Sequence, residues 1–156
     1  MDKFLMLYLL LFFALCQSQN LQGVHLEEIA NHNMEKLDNV MIQKFGFTRV
    51  KEIEDLNQRV YSNNSDKKEN LLVITVIKKE GSCSNILSIV NSSFDNMQRL
   101  RAELPTIGYV YAGKKRLSSS IILSQYVKNR IIIALSDEVT ATGAYQILLV
   151  CNHKMH

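Results

Sequence analysis

In 156 residues the chain carries one proline, three cysteines and no tryptophan, and it lacks every short motif that announces chemistry. There is no Cys-x-x-Cys pair, which argues against thiol redox and zinc sites. There is no Gly-x-Ser-x-Gly elbow to hold a nucleophile. Neither sign of charge dominates: 18 Lys and Arg against 15 Asp and Glu leave a formal +3, with both signs mixed along the chain. A nucleic-acid-binding face needs a much denser run of cations, so no nucleic-acid partner is expected. After residue 20 no apolar run approaches the roughly 20 residues that cross a bilayer, so no transmembrane segment is expected there.

The amino-terminal segment has its own character. Lys3 supplies a positive charge, residues 4–15 are twelve apolar residues, and Cys16, Gln17, Ser18 and Gln19 follow as small or polar positions. That order is the order of a secretion signal. The expectation is a signal over 1–18, a single mature domain over 19–156, and a secreted or periplasmic location. Cys16 opens a second reading, a lipid anchor, which the bulky Leu15 before it opposes. Export places Cys83 and Cys151 where disulfides persist. A bridge between them is the first reading and two buried thiols the alternative. Asn63 and Asn91 open Asn-x-Ser sequons, which matter only in a eukaryotic host.

About 138 mature residues suffice for one domain with a real core. They read as two similar halves, about 24–91 and 92–152. Asn33 to Leu37 is echoed by Asn96 to Leu100 at a shift of 63, and Phe45-Gly46-Phe47 by Ile107-Gly108-Tyr109 at 62. Gly81 finds Gly143 at 62, and 84–91 lies over 145–152 at 61. Each half opens with a helix. In the first, Leu26, Ile29, Ala30, Met34, Leu37, Val40 and Met41 share one face, and Gly46 ends the run. In the second, Ser92 or Ser93 caps a helix through Phe94, Met97, Leu100 and Leu104. Arg101 is expected to lay its stem along that stripe with its charge in water, and Pro105 to stop the helix. Four strands should follow each helix, near 47–53, 57–62, 70–78 and 84–91, then 107–112, 118–126, 130–136 and 143–151. The expected class is α+β. Tandem αββββ units would form one antiparallel sheet with two helices packed on one face, leaving the other face open.

Lys44-Phe45-Gly46-Phe47, Ile107-Gly108-Tyr109 and the Ala14 to Asn20 end of the signal give the chain a resemblance to short, uncharacterised exported bacterial proteins. They share a helix ending in a Gly-aromatic pair and several strands. That resemblance implies no activity. In outline the plan is also similar to β-lactamase-inhibitor proteins, tandem helix-plus-sheet units that grip a protein on a concave sheet. It is similar as well to cystatins, which wrap a sheet around one helix. The cystatin Gln-x-Val-x-Gly wedge is missing, and Gln58-Arg59-Val60-Tyr61 is the nearest approach.

His25 and His32 are seven apart and can share a helix face, and His153 and His156 lie in the tail; two separated pairs do not make a metal site, so no metal or other cofactor is expected. The carboxylates Glu27-Glu28, Glu52, Glu54-Asp55 and Asp137-Glu138 sit at a helix start and in turns, as solvated charges do. Lys114, Lys115 and Arg116 fall between two expected strands, and with Lys128 and Arg130 they outline one cationic edge. Such an edge either contacts an acidic partner or discourages strand pairing. Tyr109 and Tyr111 are expected on one strand face, as contact residues or as core. Together these features point to a non-enzymatic exported binding module that recognises a protein or glycan through the open sheet face. The binding residues would be Tyr109, Tyr111, Lys114, Lys115, Arg116, Lys128 and Arg130. The alternatives are a small hydrolase with scattered carboxylates and a structural envelope lipoprotein. The intact mass of the native protein tests the export reading. The expected outcome is a chain starting at Gln17 or Gln19, without lipid, and lighter by two hydrogens for a Cys83–Cys151 bridge. A lipid mass on Cys16, or two titratable thiols, would contradict it.

Overall fold

The structure, a computed structural model, describes residues 21–80, 84–118 and 121–152. The signal segment, Gly81, Cys83, His153 and His156 therefore lie outside the described residues. Helix α1 spans Gly23–Asn31 and buries Leu26, Ile29 and Ala30. A single helix as far as Met41 does not form. The chain turns extended at His32, with ψ of 143°. The carbonyls freed there are taken up across the fold by Asn85, whose N–H donates to Ala30 O at 2.8 Å and whose Nδ2 donates to His32 O at 2.8 Å. Asn33 Oδ1 then accepts from the Glu35 N–H at 3.0 Å, an Asx turn that restarts the coil. The segment closes as a π-helical turn, Asn39–Lys44, which buries Met41. Gly46, at φ +71°, reverses the chain in a conformation that side chains with a Cβ resist.

Strands β1 (Thr48–Arg49), β2 (Gln58–Ser62), β3 (Leu72–Ile77) and β4 (Ile86–Asn91) follow, with short 3-10 turns at Lys51–Ile53 and Lys68–Asn70. Helix α2, Phe94–Thr106, is capped as the sequence implies. Ser93 Oγ accepts from the Asn96 N–H at 3.3 Å, and Asn91 Oδ1 from the Ser93 N–H at 3.0 Å. Pro105 occupies its last turn. Gly108, at φ +92°, turns the chain so that the Tyr109 N–H reaches Leu104 O at 3.0 Å. Strands β5 (Val110–Arg116), β6 (Ile122–Lys128), β7 (Ile131–Ser136) and β8 (Tyr145–Cys151) complete the chain.

The eight strands make one antiparallel sheet in the order β1-β2-β3-β4-β8-β7-β6-β5. The last strand of each half thus meets at the centre, where Leu87 pairs with Leu149, Ser88 with Leu148 and Ile89 with Ile147. On this face Ile74, Val76, Leu87, Ile89, Ile133, Leu135, Ile147 and Leu149 join Leu26, Ile29, Leu37, Met41, Met97, Leu100 and Leu104 in one core cluster.

Two details of the sequence reading are corrected. Matching 84–91 to 145–152 at a shift of 61 sets buried Leu87 over Leu148, which points the other way. A one-residue slip reverses every side chain of a strand. Buried positions fall over buried ones at an even shift, 60 or 62. Further, Lys114, Lys115 and Arg116 are not between strands. A bulge between Tyr111 and Gly113, with Gly113 at φ +103°, lets β5 continue through them. Because the β4–β8 seam is the middle of the core, Ile147→Ala should lower the unfolding free energy by about 2–5 kcal/mol in urea denaturation. A loss under about 1 kcal/mol would mean that this seam is not a packed core.

Candidate functional site

Ladder register assigns every strand residue to one of two faces. The core side carries the residues named above. The other side carries Val73, Thr75 and Ile77 on β3, Ile86, Ser88 and Val90 on β4, Gln146, Leu148 and Val150 on β8, and Ile132, Ala134 and Ser136 on β7. Flanking strands add Gln58, Val60 and Ser62 from β2 and Leu123, Gln125 and Val127 from β6. None of these residues is charged and none is aromatic. Six cations lie in strands, and five of them, Arg49, Arg59, Lys114, Arg116 and Lys128, point to the core side. Lys115, opposite Leu123 near the sheet edge, is the exception among the described strand residues. A half-solvated antiparallel sheet ordinarily alternates apolar with polar and charged residues. This one mixes apolar residues with Ser, Thr and Gln on its second side and carries no charge on its four central strands there.

The residues named from the sequence separate into three groups. Tyr109 precedes β5 and is 3 % exposed, a core residue; it lies on the same core side of the sheet that Tyr111, opposite Tyr126, points to. Burial first, and the Glu27 carboxylate second, raise its phenol above the ordinary value. Lys128 lies over its ring at 5.4 Å and pairs with Glu27 of α1 at 2.9 Å. Tyr111 is half exposed and meets Tyr126 edge to face at 5.6 Å. Lys114 pairs with Asp137 at 2.6 Å. Lys115 and Arg116 are exposed on the edge strand, and Arg130 is exposed in the β6–β7 turn. Lys114 to Arg116 stand beside Ser124 to Ile122, whereas Lys128 and Arg130 stand at the opposite end of β6. The expected single cationic edge is therefore two separate places, and of its members Lys115 alone points to the open side.

The sequence reading missed two polar clusters on the core side. In the first, Asp38 accepts from Tyr61 Oη at 2.5 Å and from Arg49 at 2.8 Å, with Arg59 at 3.3 Å. Arg49 also grips Glu54 through Nε at 2.9 Å and Nη2 at 2.7 Å, and Glu54 accepts from the Val60 N–H at 2.9 Å. The signal available was Arg59 two residues before Tyr61, on one strand face by the period of two, where a cation demands an acidic partner. In the second cluster Asp137 accepts from Ser124 Oγ at 2.6 Å and pairs with Lys114 and, at 3.5 Å, with Arg101. Arg101 does not end in water as expected: its Nη2 donates to Ser136 O at 3.3 Å, because the sheet supplies a carbonyl there. A cavity of about 150 Å³ lies beside Lys114, Ile122, Asp137 and Val139. It is smaller than the roughly 300–1,000 Å³ of small-molecule sites.

Other candidates resolve locally. His25 stacks near Phe45 at 4.7 Å, and His32 caps α1 through Glu28 O at 2.9 Å. The helix ends between them, so they share no helix face. Among the described residues no three His, Cys, Asp or Glu side chains converge on a metal position. Glu27, Glu28, Glu54 and Asp137 each hold a cation and do not pair across a cleft. Asn91 is 1 % exposed and serves the α2 cap. Asn63 spends its amide on Asn70 O at 2.8 Å and its carbonyl on the Leu72 N–H at 3.0 Å. Both sequon asparagines are thus structural. Cys151 is buried at the end of β8, while its expected partner lies outside the described residues.

The carboxylates give a pH prediction. Burial acts to raise Asp38 and Asp137. Tyr61, Arg49 and Arg59 in one case, and Lys114, Ser124 and Arg101 in the other, outweigh it, so both lie below the ordinary 3.8. The Arg49 hydrogen bond holds Glu54 below the ordinary 4.5 against its burial. Depressed acids stabilise the fold above their unfolded pKa, and that stability is lost as pH falls through the folded values. Urea midpoints should hold down to about pH 5 and then drop below about pH 4, with a shallower drop in Asp38→Asn. An equal acid slope in the variant would remove Asp38 from the account. No protein-family model, curated protein or solved structure matches the chain.

Proposed function

We propose that this chain is an exported, non-enzymatic binding module, secreted or periplasmic, that engages a partner through the uncharged face of its sheet. One observation carries the reading: the four central strands turn no charged side chain to that side. A surface meant for water on a chain with 33 charged residues would hold some of them. The absence of any aromatic ring on that side leaves nothing to stack on a sugar and favours a protein over a glycan. A hydrolase reading finds little support in the carboxylates: Glu27, Glu28, Glu54 and Asp137 are held in ion pairs, and Glu52, Asp55 and Glu138 are not brought together across a cleft.

The architecture that would produce such a face is a tandem of two αββββ units whose helices cover the same side. Gly46 and Gly108 share positive φ, as do Asn64 and Asn129. Leu37 with Leu100, Met41 with Leu104 and Tyr61 with Tyr126 occupy matching buried positions. The two units would join through their fourth strands, β4 and β8, which are neighbours in the sheet. Each unit alone would expose an unpaired β4 or β8, rich in Ile, Leu and Val, to water.

The test compares the native mature protein with Val90→Lys as immobilised bait in its own envelope or medium fraction. A specific partner held by the wild type should be lost in Val90→Lys, with the circular dichroism spectrum unchanged. Equal capture by both would exclude the face.

A further inference from the structure

We infer that the cavity where β6 begins and β7 ends is a binding site for a small zwitterion, an aliphatic α-amino acid. The site involves the core-side residues Lys114 and Asp137 and does not depend on the contact surface proposed above. Register builds it. The Asp137 N–H donates to Ile122 O at 3.1 Å, which sets the turn after β7 beside the first residues of β6. Lys114 stands opposite Ser124, whose Oγ donates to Asp137 at 2.6 Å. An ammonium from β5 and a carboxylate from the end of β7 thus meet across β6.

Charge defines the ligand. Asp137 lies between two cations, Lys114 at 2.6 Å and Arg101 at 3.5 Å, which leaves one positive charge over. The Lys114 side chain is 61 % exposed and has N–H donors to spare beyond its bond to Asp137. Glu138 lines the same cavity, is exposed, and makes no ion pair among the described residues. A carboxylate alone would suit Lys114 and meet repulsion from Glu138. An amine alone would suit Glu138 and meet repulsion from the two cations. A molecule carrying both ends complements both. Apolar surface and size set the rest. Ile122 and Val139, 40 % and 52 % exposed, offer an aliphatic wall that an aliphatic side chain would cover. A cavity of about 150 Å³ is one that benzene fills, so it suits a molecule the size of valine and excludes a peptide.

Methyl NMR of the native mature protein, titrated with L-valine, reads the site. Saturable shifts of the Ile122 and Val139 methyls are expected in the millimolar range. Isovalerate, which lacks the amine, and isobutylamine, which lacks the carboxylate, should each bind about tenfold more weakly. Glu138→Gln should weaken valine to the level of isovalerate and leave isovalerate no weaker. Lys114→Gln should weaken valine and leave isobutylamine no weaker. Both substitutions are at exposed side chains, and the circular dichroism spectrum should be unchanged in each. The absence of a saturable shift with valine across the millimolar range overturns the inference. So does a fragment that binds as tightly as valine: isovalerate would make this a carboxylate site, and isobutylamine an amine site. Valine binding that survives both substitutions overturns it as well.

Discussion

The ladder between β4 and β8 is the contact on which the rest of the structure depends. It joins strands more than fifty residues apart in sequence and sets Leu87 against Leu149 and Ile89 against Ile147, all fully buried. Without it the chain would be two four-stranded pieces, each with an apolar edge open to water. With it, the edges left over are β1, two residues long, and β5, bulged and carrying three cations in succession. Both are forms in which edge strands avoid pairing with foreign chains. The lysines and arginine of β5 thus have a structural reason to be where they are.

Polar groups on the core side follow from the same arrangement. The helices leave the flanks of the sheet partly uncovered, and there the arginines and lysines of the strands find acids. In the first half the acid, Asp38, precedes the π-helical turn and the cations come from β1 and β2. In the second half the helix supplies the cation, Arg101, and the acid, Asp137, follows β7. The charges are exchanged while the place is kept. An ion pair at such a position needs one member of each sign, and either element can provide either member.

Much of the fold was legible in the chain. Runs of Ile, Leu and Val located β2, β3, β4, β7 and β8 to within two residues, whereas β1 is far shorter than expected and β6 lies further along the chain; Ser93, Gly46 and Gly108 marked helix ends. The errors have physical causes. The break at His32 was invisible because the hydrogen bonds that stabilise it come from Asn85, across the fold. The path of β5 was shortened because three consecutive cations look like a turn until a partner strand is present. The match of β4 to β8 slipped by one because similar aliphatic residues fill both sides of these strands, so composition alone does not distinguish the faces.

The sequence by itself determined the α+β class, the places of most strands and of the second helix, and the lack of a short motif for catalysis or metal binding, because those follow from local periodicity and from residue chemistry at short range. Which side of each strand faces the helices, which cations meet Asp38 and Asp137, and that nearly every strand charge turns away from one face were decided by tertiary structure alone. Those properties depend on pairing register, and register is a relation between residues that only the assembled sheet brings together.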